Sequence, residues 1–326
     1  MIVKERTIPL KIKVGEALLR RFPNDQLFRE ELQEELDKRW AGYRGEQSLD
    51  HYLNLLDEKK FLIFHDLNLP WGDYTFQIDT LLLSPHLAII IEVKNMAGTL
   101  FFDQVFHQLI RTNENGKEEG FADPITQASL HELQLKQFLE KYNLPKVPIE
   151  YAVVICNKYS ILKTNPGHRR IFQKVFKAPR LMNRIHDLEM QYPKEVLSSK
   201  ELRKISRFLL KKNTPPRKLF LDRYLISKKQ LKTGIHCPSC FHIPMNRIKR
   251  QWHCPACNTF SKDAHIYSLY DYFLLIDSKI TIQQFREFAH LKSRDAASRL
   301  LTSTNFPSTG TTKDRYYHAP SNFYRE

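Results

Sequence analysis

The segment FQIDTLLLSPHLAIIIEVKN, residues 76–95, constrains the fold more than any other part of the chain, because it is apolar along almost its whole length. Its two apolar halves predict buried strands joined by a turn at 84–86. Asp79, Glu92 and Lys94 nevertheless lie inside them, and burying an unpaired ionised side chain is costly. Either the three charges neutralise one another, or they bind a ligand there.

Strand geometry predicts where these three side chains project. Residues two apart on a strand share a face, so Glu92 and Lys94 project to the same side. A short antiparallel turn would bring Asp79 beside Glu92. Two such carboxylates repel each other, and a hard divalent cation such as Mg²⁺ or Mn²⁺ removes that penalty. With Lys94 nearby, the set suits phosphodiester hydrolysis. A structural salt-bridge cluster, with Lys94 paired to either carboxylate, is the alternative.

The order of the predicted elements indicates an α/β fold. Helical spacing of apolar residues runs through 1–40, and Gly42 and Gly45 are expected to interrupt it before a second helix begins at Glu46. Further along we predict strands at 61–69, 76–83, 87–95, 96–102 and 146–157, a polar loop at 112–120 and an amphipathic helix at 126–142. This alternation predicts a small sheet packed against helices.

Positive charge is concentrated outside the strand-rich part of the chain. The net charge is +15, and residues 161–234 hold 20 Lys and Arg against 5 Asp and Glu. Residues 1–160 hold 19 against 24, and residues 235–326 hold 12 against 7. A positive block of this kind favours a polyanion such as nucleic acid, through counterion release. A solvated helical surface is the alternative.

Four of the five cysteines follow the spacing C-x2-C-x13-C-x2-C, and they are Cys237, Cys240, Cys254 and Cys257. Two such knuckles supply four thiolates to one tetrahedral zinc ion and leave no open position for chemistry. The spacing therefore predicts a structural zinc ribbon. Disulfides are the alternative, and they are rare inside cells.

The residues after the cysteines predict three short amphipathic helices and a hairpin. Thr281 and Ser293 are good N-caps for the second and third helices, and the hairpin turn falls at 308–310. This order resembles a winged helix-turn-helix, with a small helical cap or protein-docking module as the alternative. The basic side chains that we expect to contact nucleic acid are Arg247, Lys249 and Arg250 between the knuckles, Arg294 and Arg299 on the third helix, and Lys313 and Arg315 on the wing.

Residues 41–160 resemble the nuclease-related domain (NERD) family, a branch of the PD-(D/E)xK nuclease superfamily. The similar pieces occur in order, and they are AGYRGEQSLDHYL, FHDLNLPWGDYTFQIDTLLL, IIIEVKNMAGTL, DPITQASLHEL and EYAVVICN. The resemblance implies a restriction-endonuclease-like mixed sheet flanked by helices. The sequence departs from the family at Thr80, where a histidine is frequent, and at the turn 84–86, which lacks the usual glycine.

The resemblance also implies roles for individual residues. Asp79 and Glu92 would ligate Mg²⁺ or Mn²⁺, and Lys94 would orient the attacking water or stabilise developing charge. Glu46 would complete the metal site or hold a water molecule, and Gln127 would brace the geometry. His131, one helical turn after Gln127, is expected to pack or form a hydrogen bond. Asp66 and Asp73 are expected to be loop caps, and Asn95 and Gly98 either shape the loop beside the site or serve ordinary turn geometry.

These observations predict five segments: a helical leader at 1–40, the nuclease domain at 41–160, a basic helical connector at 161–234, the four-cysteine zinc ribbon at 235–262 and a winged-helix-like domain at 263–326. No apolar run is long enough for a membrane span, and the N-terminus lacks the apolar core of a signal peptide. We therefore expect a soluble cytoplasmic protein with no membrane partner.

The function expected from the sequence is metal-dependent hydrolysis of DNA, with the C-terminal modules binding the DNA. A non-cleaving nucleic-acid-binding protein on an inactive nuclease fold is one alternative, and an RNA-processing nuclease is another. Strand preference, the choice between end and internal cleavage, the pathway and the oligomeric state do not follow from the sequence.

Overall fold

The computed structural model describes residues 1–22, 25–168, 171–214, 226–311, 314–320 and 323–324. The chain divides into two compact units. Unit 1 holds the described residues of Met1–Thr7 and Trp40–Pro216, and unit 2 holds those of Ile8–Arg39 and Arg217–Arg325. No described helix is both long and apolar enough to cross a membrane.

The α-helices of the described residues are α1 Leu10–Arg21, α2 Gln26–Ser48, α3 Asp50–Leu53, α4 Pro124–Lys141, α5 Ile171–Lys174, α6 Leu181–Gln191, α7 Ser199–Lys212, α8 Ala264–Leu275, α9 Ile282–Phe288 and α10 Arg294–Thr302. Short 3-10 turns lie at Ala178–Arg180 and Lys228–Gln230.

The strands of the described residues are β1 Ile2–Lys4, β2 Leu62–Trp71, β3 Tyr74–Leu83, β4 Ala88–Lys94, β5 Thr99–Asp103, β6 Gln108–Thr112, β7 Glu118–Ala122, β8 Ile149–Ile155, β9 Ile161–Thr164, β10 Val175–Lys177, β11 Asn246–Ile248, β12 Gln251–His253, β13 Phe260–Ser261, β14 Lys279–Thr281, β15 Ser308–Thr309 and β16 Tyr316–His318.

A six-stranded mixed sheet forms the centre of unit 1, in the order β1-β2-β3-β4-β8-β10. The strands β2, β3 and β4 are antiparallel, whereas β1 pairs parallel with β2, and β8 pairs parallel with both β4 and β10. A second, four-stranded sheet has the order β7-β6-β5-β9. The predicted mixed α/β fold is therefore confirmed.

Both faces of the central sheet are covered, which explains why residues 81–83 of β3 and 88–91 of β4 are unbroken apolar runs. On one face, Leu81 and Ile90 pack with Phe138 of α4 and Leu209 of α7. On the other face, Leu82, Ile89 and Ile91 pack with Leu53 of α3 and Ile185 of α6. Helices drawn from before and after the sheet thus enclose it.

Three local predictions were wrong. Residues 2–4 form strand β1 rather than helix, because they pair with β2 some 60 residues away. Helix α2 continues through Gly42 and Gly45, since each interior glycine costs only about 1 kcal/mol and packing outweighs that cost. The predicted loop at 112–120 contains the start of β7, which pairs antiparallel with β6.

Unit 2 contains a three-stranded sheet in the order β11-β12-β13 and another in the order β14-β16-β15. One apolar core joins the two sheets and helices α8 to α10, and it includes Cys237, Trp252, Phe285 and Leu301. The predicted N-caps are confirmed, because the Thr281 hydroxyl accepts from the Gln284 amide and the Ser293 hydroxyl accepts from the Ala296 amide.

A buried ionic cluster surrounds Asp271 on α8. The guanidinium groups of Arg20 and Arg21 donate to its carboxylate at 2.7 and 2.9 Å, and His236 Nδ1 lies 3.2 Å from it. Burial tends to raise the pKa of Asp271, but the His236 hydrogen bond and the two arginines outweigh it and lower the pKa to about 2, from 3.8. The ionised carboxylate therefore stabilises unit 2 above about pH 4, and this contribution is lost as the pH falls from about 4 to about 2.

Asp271→Asn should destabilise unit 2 by about 3 kcal/mol at pH 7, because it leaves two guanidinium groups without their carboxylate partner. Chemical denaturation at several pH values measures the effect. The difference between wild type and variant should shrink as the pH falls from about 4 to about 2. The exposed Asp263→Asn variant is the control and should unfold like wild type; equal stability of both variants at pH 7 would contradict the prediction.

Candidate functional site

The structure brings Asp79 and Glu92 together where the β3–β4 ladder ends. Thr80 pairs with Ile91 as the last residue pair of that ladder, so Asp79 and Glu92 are the next residues on their strands. The Val93 amide donates to Asp79 Oδ2 at 2.9 Å, so the side chain of Asp79 continues the hydrogen bonding that the backbone ends. Glu92 is 2 % exposed. The antiparallel pairing of β3 with β4 thus holds both carboxyl groups in one place, at the end of the ladder away from the turn.

Lys94 is tied to two side chains of the same site. Its Nζ donates to Glu92 Oε1 at 2.7 Å and to Gln127 Oε1 at 3.2 Å. Gln127 is placed there because α4 begins just before it, with Pro124 in the first turn and the Asp123 carboxylate capping two amides. A structural salt bridge with Lys94 therefore accounts for the charge of Glu92 but not for that of Asp79.

The electrostatics of the site disfavour ionisation of Asp79. Burial raises the pKa of Asp79 well above its ordinary value, and the neighbouring carboxylates of Glu92 and Glu46 raise it further. The Val93 amide and Lys94 oppose this effect without overcoming it. A divalent cation between the carboxylates would relieve the repulsion, so the donor set fits a hard, oxygen-preferring ion.

The carboxylates supply only part of a coordination sphere. Among the described residues, the only set in which three or more His, Cys, Asp or Glu ligand atoms lie within 4.8 Å of one another is the four-cysteine set. An ion at Asp79 and Glu92 would therefore also need water, backbone or substrate oxygens. Mg²⁺ sites with one or two carboxylates and several water ligands have this composition.

Glu46 lies on α2 and is held by Arg6, a residue that the sequence argument missed. Arg6 Nη1 donates to Glu46 Oε2, and the Arg6 side chain is 4 % exposed. Burial raises the pKa of Glu46 to about 7, with Arg6 opposing and the carboxylates of Asp66 and Glu92 adding to the rise. Glu46 thus interacts electrostatically with the strand carboxylates but is hydrogen-bonded to Arg6.

Arg6 also connects Asp50, His65 and Thr80. Its Nη2 donates to Asp50 Oδ1 and to Thr80 Oγ1, each at 3.3 Å, and lies 2.8 Å from His65 Nδ1. His65 stands opposite Thr80 in the β2–β3 pair. Burial, helped by Arg6 and Lys4, lowers the pKa of His65 to about 3, so its ring is neutral at pH 7. A histidine from the adjacent strand thus lies beside the position where this chain departs from the family pattern.

The prediction that Asp66 caps a loop was wrong. Asp66 lies within β2, is 3 % exposed and has a φ of 52°. Lys4 Nζ donates to the carbonyls of His65 and Asp66, and Gln77 donates to Asp66 Oδ1. Burial raises the pKa of Asp66. By contrast, Asp73 lies exposed in the turn between β2 and β3.

His131 and Asn95 flank the carboxylates. His131 Nδ1 lies 3.8 Å from Glu92 Oε2, and burial lowers its pKa. Asn95 Nδ2 donates to the Ala41 carbonyl at 2.7 Å, which ties the end of β4 to α2. A side chain at Gly45 would overlap the Asn95 Cβ atom, so this glycine is what allows α2 to approach so closely.

The four predicted zinc ligands form a second, closed cluster. Cys237 and Cys257 have their Sγ atoms 3.6 Å apart, and those of Cys240 and Cys254 are 3.5 Å apart. These separations exceed the length of a disulfide bond, and they suit thiolates around a tetrahedral zinc ion, for which Zn–S bonds of about 2.3 Å imply about 3.8 Å between sulfurs. The cluster is compatible with a structural zinc.

The basic residues predicted to contact nucleic acid are spread over unit 2. Lys249 and Arg250 are exposed in the β11–β12 turn, and Arg294 and Arg299 are exposed on α10. Arg247 stacks over the Trp252 ring at 4.9 Å, and burial lowers its pKa. Arg315 is half-buried just before β16, and Lys313 lies outside the described residues.

Residues 41–156 match the family model NERD, described as a nuclease-related domain. This segment contains Glu46, Asp79, Glu92, Lys94 and Gln127, and it covers about a third of the chain. The resemblance inferred from the sequence is thereby confirmed, and a nuclease-related function follows at that coarse level. No curated protein and no solved structure matches the chain significantly.

The NERD segment does not contain every residue of the site that it forms. Arg6 and strand β1 precede it by more than 30 residues, and β10, α6 and α7 follow it. Arg6 carries no local sequence signal, because its partners are Glu46, His65 and Thr80, which only the fold brings near. Its placement follows from the parallel pairing of β1 with β2.

Gly42 and Gly45 give a matched test of the close contact between α2 and Asn95. Gly42→Ala should stabilise the protein by about 0.5–1 kcal/mol, since nothing lies within 4 Å of the added methyl group and alanine favours helix. Gly45→Ala should instead destabilise it by about 1–3 kcal/mol, because the methyl group overlaps Asn95. Urea denaturation measures both changes, and shifts of the same sign would refute the assignment of Asn95 as the contact.

Removal of one thiol tests the cysteine cluster. The purified protein should contain one zinc ion per chain by elemental analysis, and Cys254→Ser should lower that content and destabilise unit 2, because Cys254 belongs to the four-cysteine cluster and is buried in the core. Cys156→Ser, which changes the one cysteine outside the cluster, should keep the zinc ion. Full zinc content in Cys254→Ser, or its loss in Cys156→Ser, would count against this site.

Proposed function

We propose that this protein is a divalent-metal-dependent nuclease that hydrolyses phosphodiester bonds of DNA. The observation that carries the proposal is the pair of half-buried Asp79 and buried Glu92, with Lys94 and Gln127 beside it, inside the NERD segment. Burial and the neighbouring carboxylates of Glu92 and Glu46 raise the pKa of Asp79, and a bound cation would stabilise its ionised form.

Asp79 and Glu92 would hold Mg²⁺ or Mn²⁺ through carboxylate oxygens. When bound, the ion would activate a water molecule and neutralise charge on the scissile phosphate. The Val93 amide fixes the Asp79 carboxylate by donating a hydrogen bond to it at the end of the strand pair. Glu46, fixed by Arg6, would hold a water molecule near the same site or complete the coordination sphere.

Lys94 would act on the phosphate or on the attacking water. Its ammonium group is positioned by Glu92 and Gln127, so it needs no rearrangement to face a substrate bound at Glu92. A compact ammonium beside a phosphate stabilises the charge that builds up on the phosphoryl oxygens during displacement. Gln127 in this arrangement is a positioning residue for Lys94.

Unit 2 would hold the DNA. Its C-terminal part runs helix, strand, helix, helix and hairpin, with the sheet order β14-β16-β15. We interpret this order as a winged-helix-like module in which α10 presents Arg294 and Arg299 to the major groove. The ribbon turn would add phosphate contacts through Lys249 and Arg250, and the wing would add Arg315 and Lys313. The zinc ion of the ribbon would serve structure only.

A second candidate is a non-cleaving DNA-binding protein that keeps the NERD fold. The Lys94–Glu92 ion pair favours it, since such a pair neutralises the buried Glu92 carboxylate without any metal. Under this alternative, unit 2 would still bind nucleic acid, and no divalent ion would support cleavage. A third candidate is an RNA-processing nuclease. Competition between DNA and RNA of equal length would identify it.

Cleavage assays with matched variants test the proposal. Supercoiled, linear and single-stranded DNA are incubated with Mg²⁺, Mn²⁺ or chelator, together with Asp79→Asn and Lys94→Ala proteins whose thermal unfolding shows that they are folded. We expect metal-dependent cleavage in wild type and a loss of at least about 100-fold in both variants, since Asp79→Asn removes the charge of a proposed metal ligand and Lys94→Ala removes the ammonium group beside the phosphate.

Asp73→Asn is the control, because it removes an exposed carboxylate from the turn between β2 and β3 and should leave the rate unchanged. A wild-type protein that binds DNA but cuts neither DNA nor RNA with any divalent ion would favour the non-cleaving alternative. Cleavage that persists in the Asp79→Asn and Lys94→Ala proteins would place the chemistry elsewhere.

A further inference from the structure

Two cavities in unit 2 share one wall beside the first zinc knuckle. The smaller has a volume of about 500 Å³ and the larger about 860 Å³. Both are lined by Arg20 of α1 and by Phe241, the residue that follows Cys240. Each lies within the range of about 300–1,000 Å³ that is usual for ligand sites. Together they form an open groove between α1, α8 and the ribbon, which we call the knuckle groove.

Exposed aromatic rings line the knuckle groove. Phe241 is 52 % exposed and Tyr267 of α8 is 51 % exposed, although side chains of this size usually bury most of their surface. Tyr270, one helical turn after Tyr267, stacks on Phe323 with ring centroids 5.2 Å apart. The groove thus offers flat apolar faces to a ligand rather than a packed surface.

The backbone turn does not explain why an aromatic residue stands at position 241. Phe241 has a φ of 59°, a conformation that glycine or asparagine adopts more easily than phenylalanine does. Its amide is held by the Cys237 carbonyl in the knuckle turn. A bulky ring kept at a strained and exposed position indicates a role for the ring itself.

Cations are placed around these rings. The Arg20 guanidinium lies 5.7 Å from the Phe241 ring centroid, and its contacts to the Asp271 carboxylate fix its position. Lys13 lines the smaller cavity, and Arg29 and Lys232 line the larger one. The acidic residues that line the two cavities are Glu16 and Asp271, so the lining is positive overall, which complements a polyanion.

We propose that the knuckle groove binds single-stranded nucleic acid, with unpaired bases stacked on Phe241 and Tyr267 and the phosphates near Lys13, Arg29 and Lys232. Aromatic platforms flanked by cations are the usual means of binding single strands, because every base has a stacking face and every nucleotide a charge. A duplex cannot use the groove in this way, since its bases already stack on one another. The proposal rests on the proposed nucleic-acid substrate and names the strand state that unit 2 recognises.

Fluorescence anisotropy of the full-length protein tests this groove. Labelled single strands of about 15 nucleotides and a hairpin duplex of the same length are titrated without added Mg²⁺ or Mn²⁺, so that no strand is cut. Phe241→Ala and Tyr267→Ala should each weaken single-strand binding about tenfold, as expected for the loss of one stacked base, and should change duplex binding less than about twofold.

Phe260→Ala is the matched control, because Phe260 is an exposed ribbon aromatic that lines neither cavity. It should bind both probes like wild type. Zinc content and thermal unfolding of all three variants should equal those of wild type, which separates loss of stacking from loss of the ribbon fold. Because stacking carries no charge, the loss in Phe241→Ala should persist when the salt concentration is raised.

Three results would overturn the groove: wild type fails to bind single strands, Phe241→Ala and Tyr267→Ala bind them as wild type does, or Phe260→Ala loses as much affinity as they do. The first two would leave a peptide or another protein as the occupant. The binding and cleavage measurements distinguish failure of this proposal from failure of the nuclease proposal. If single-strand binding depends on Phe241 while no metal supports cleavage, the proposed binding site in the knuckle groove is supported and the nuclease proposal is rejected. If DNA is cut but Phe241→Ala binds single strands normally, only the proposed binding site is rejected.

Discussion

The hydrogen bond from the Val93 amide to Asp79 is the contact on which the candidate site depends. At this point β3 and β4 stop pairing through their backbones, and a side chain continues the ladder in place of a carbonyl. The bond fixes the Asp79 carboxyl next to Glu92, and Lys94 in turn donates to both Glu92 and Gln127. The sheet can impose this geometry because helices pack on both of its faces and prevent the strand ends from separating.

The same enclosure requires every nearby charge to have a partner. Arg6 contacts Glu46, Asp50, His65 and Thr80. Lys4 donates to the carbonyls of His65 and of Asp66, a residue in the left-handed conformation. In unit 2, Asp271 does the same for two arginines and a histidine. These clusters differ in one respect that matters for function. Around Asp271 the His236 hydrogen bond and two arginines outweigh burial and lower the carboxylate pKa, whereas around Asp79 burial and the neighbouring carboxylates both raise it.

Local patterns predicted the parts of the molecule that depend on neighbours in sequence. The β3–β4 hairpin, the CxxC spacing and the caps at Thr281 and Ser293 all follow from residues a few positions apart. The contributions of Arg6 and Asp66 could not be predicted in this way, since parallel pairing of β1 with β2 brings together residues about 60 positions apart. The prediction of a helix break at Gly45 was wrong for a related reason. A glycine that the local pattern assigned to a helix break is instead the place where the helix meets Asn95, and the contact partner is 50 residues away.

The strand order of unit 1 has a practical consequence for anyone who isolates the segment that matches the family. A polypeptide trimmed to 41–156 would lack β1 at one edge of the six-stranded sheet and β10 at the other. Both β2 and β8 would then present unpaired backbone amides and carbonyls, and the apolar side chains normally under α6 and α7 would be uncovered. Unpaired edge strands of this kind pair readily with strands of other molecules, so such a fragment should self-associate. It would keep Asp79 and Glu92 but lose the strands and helices that hold them in place.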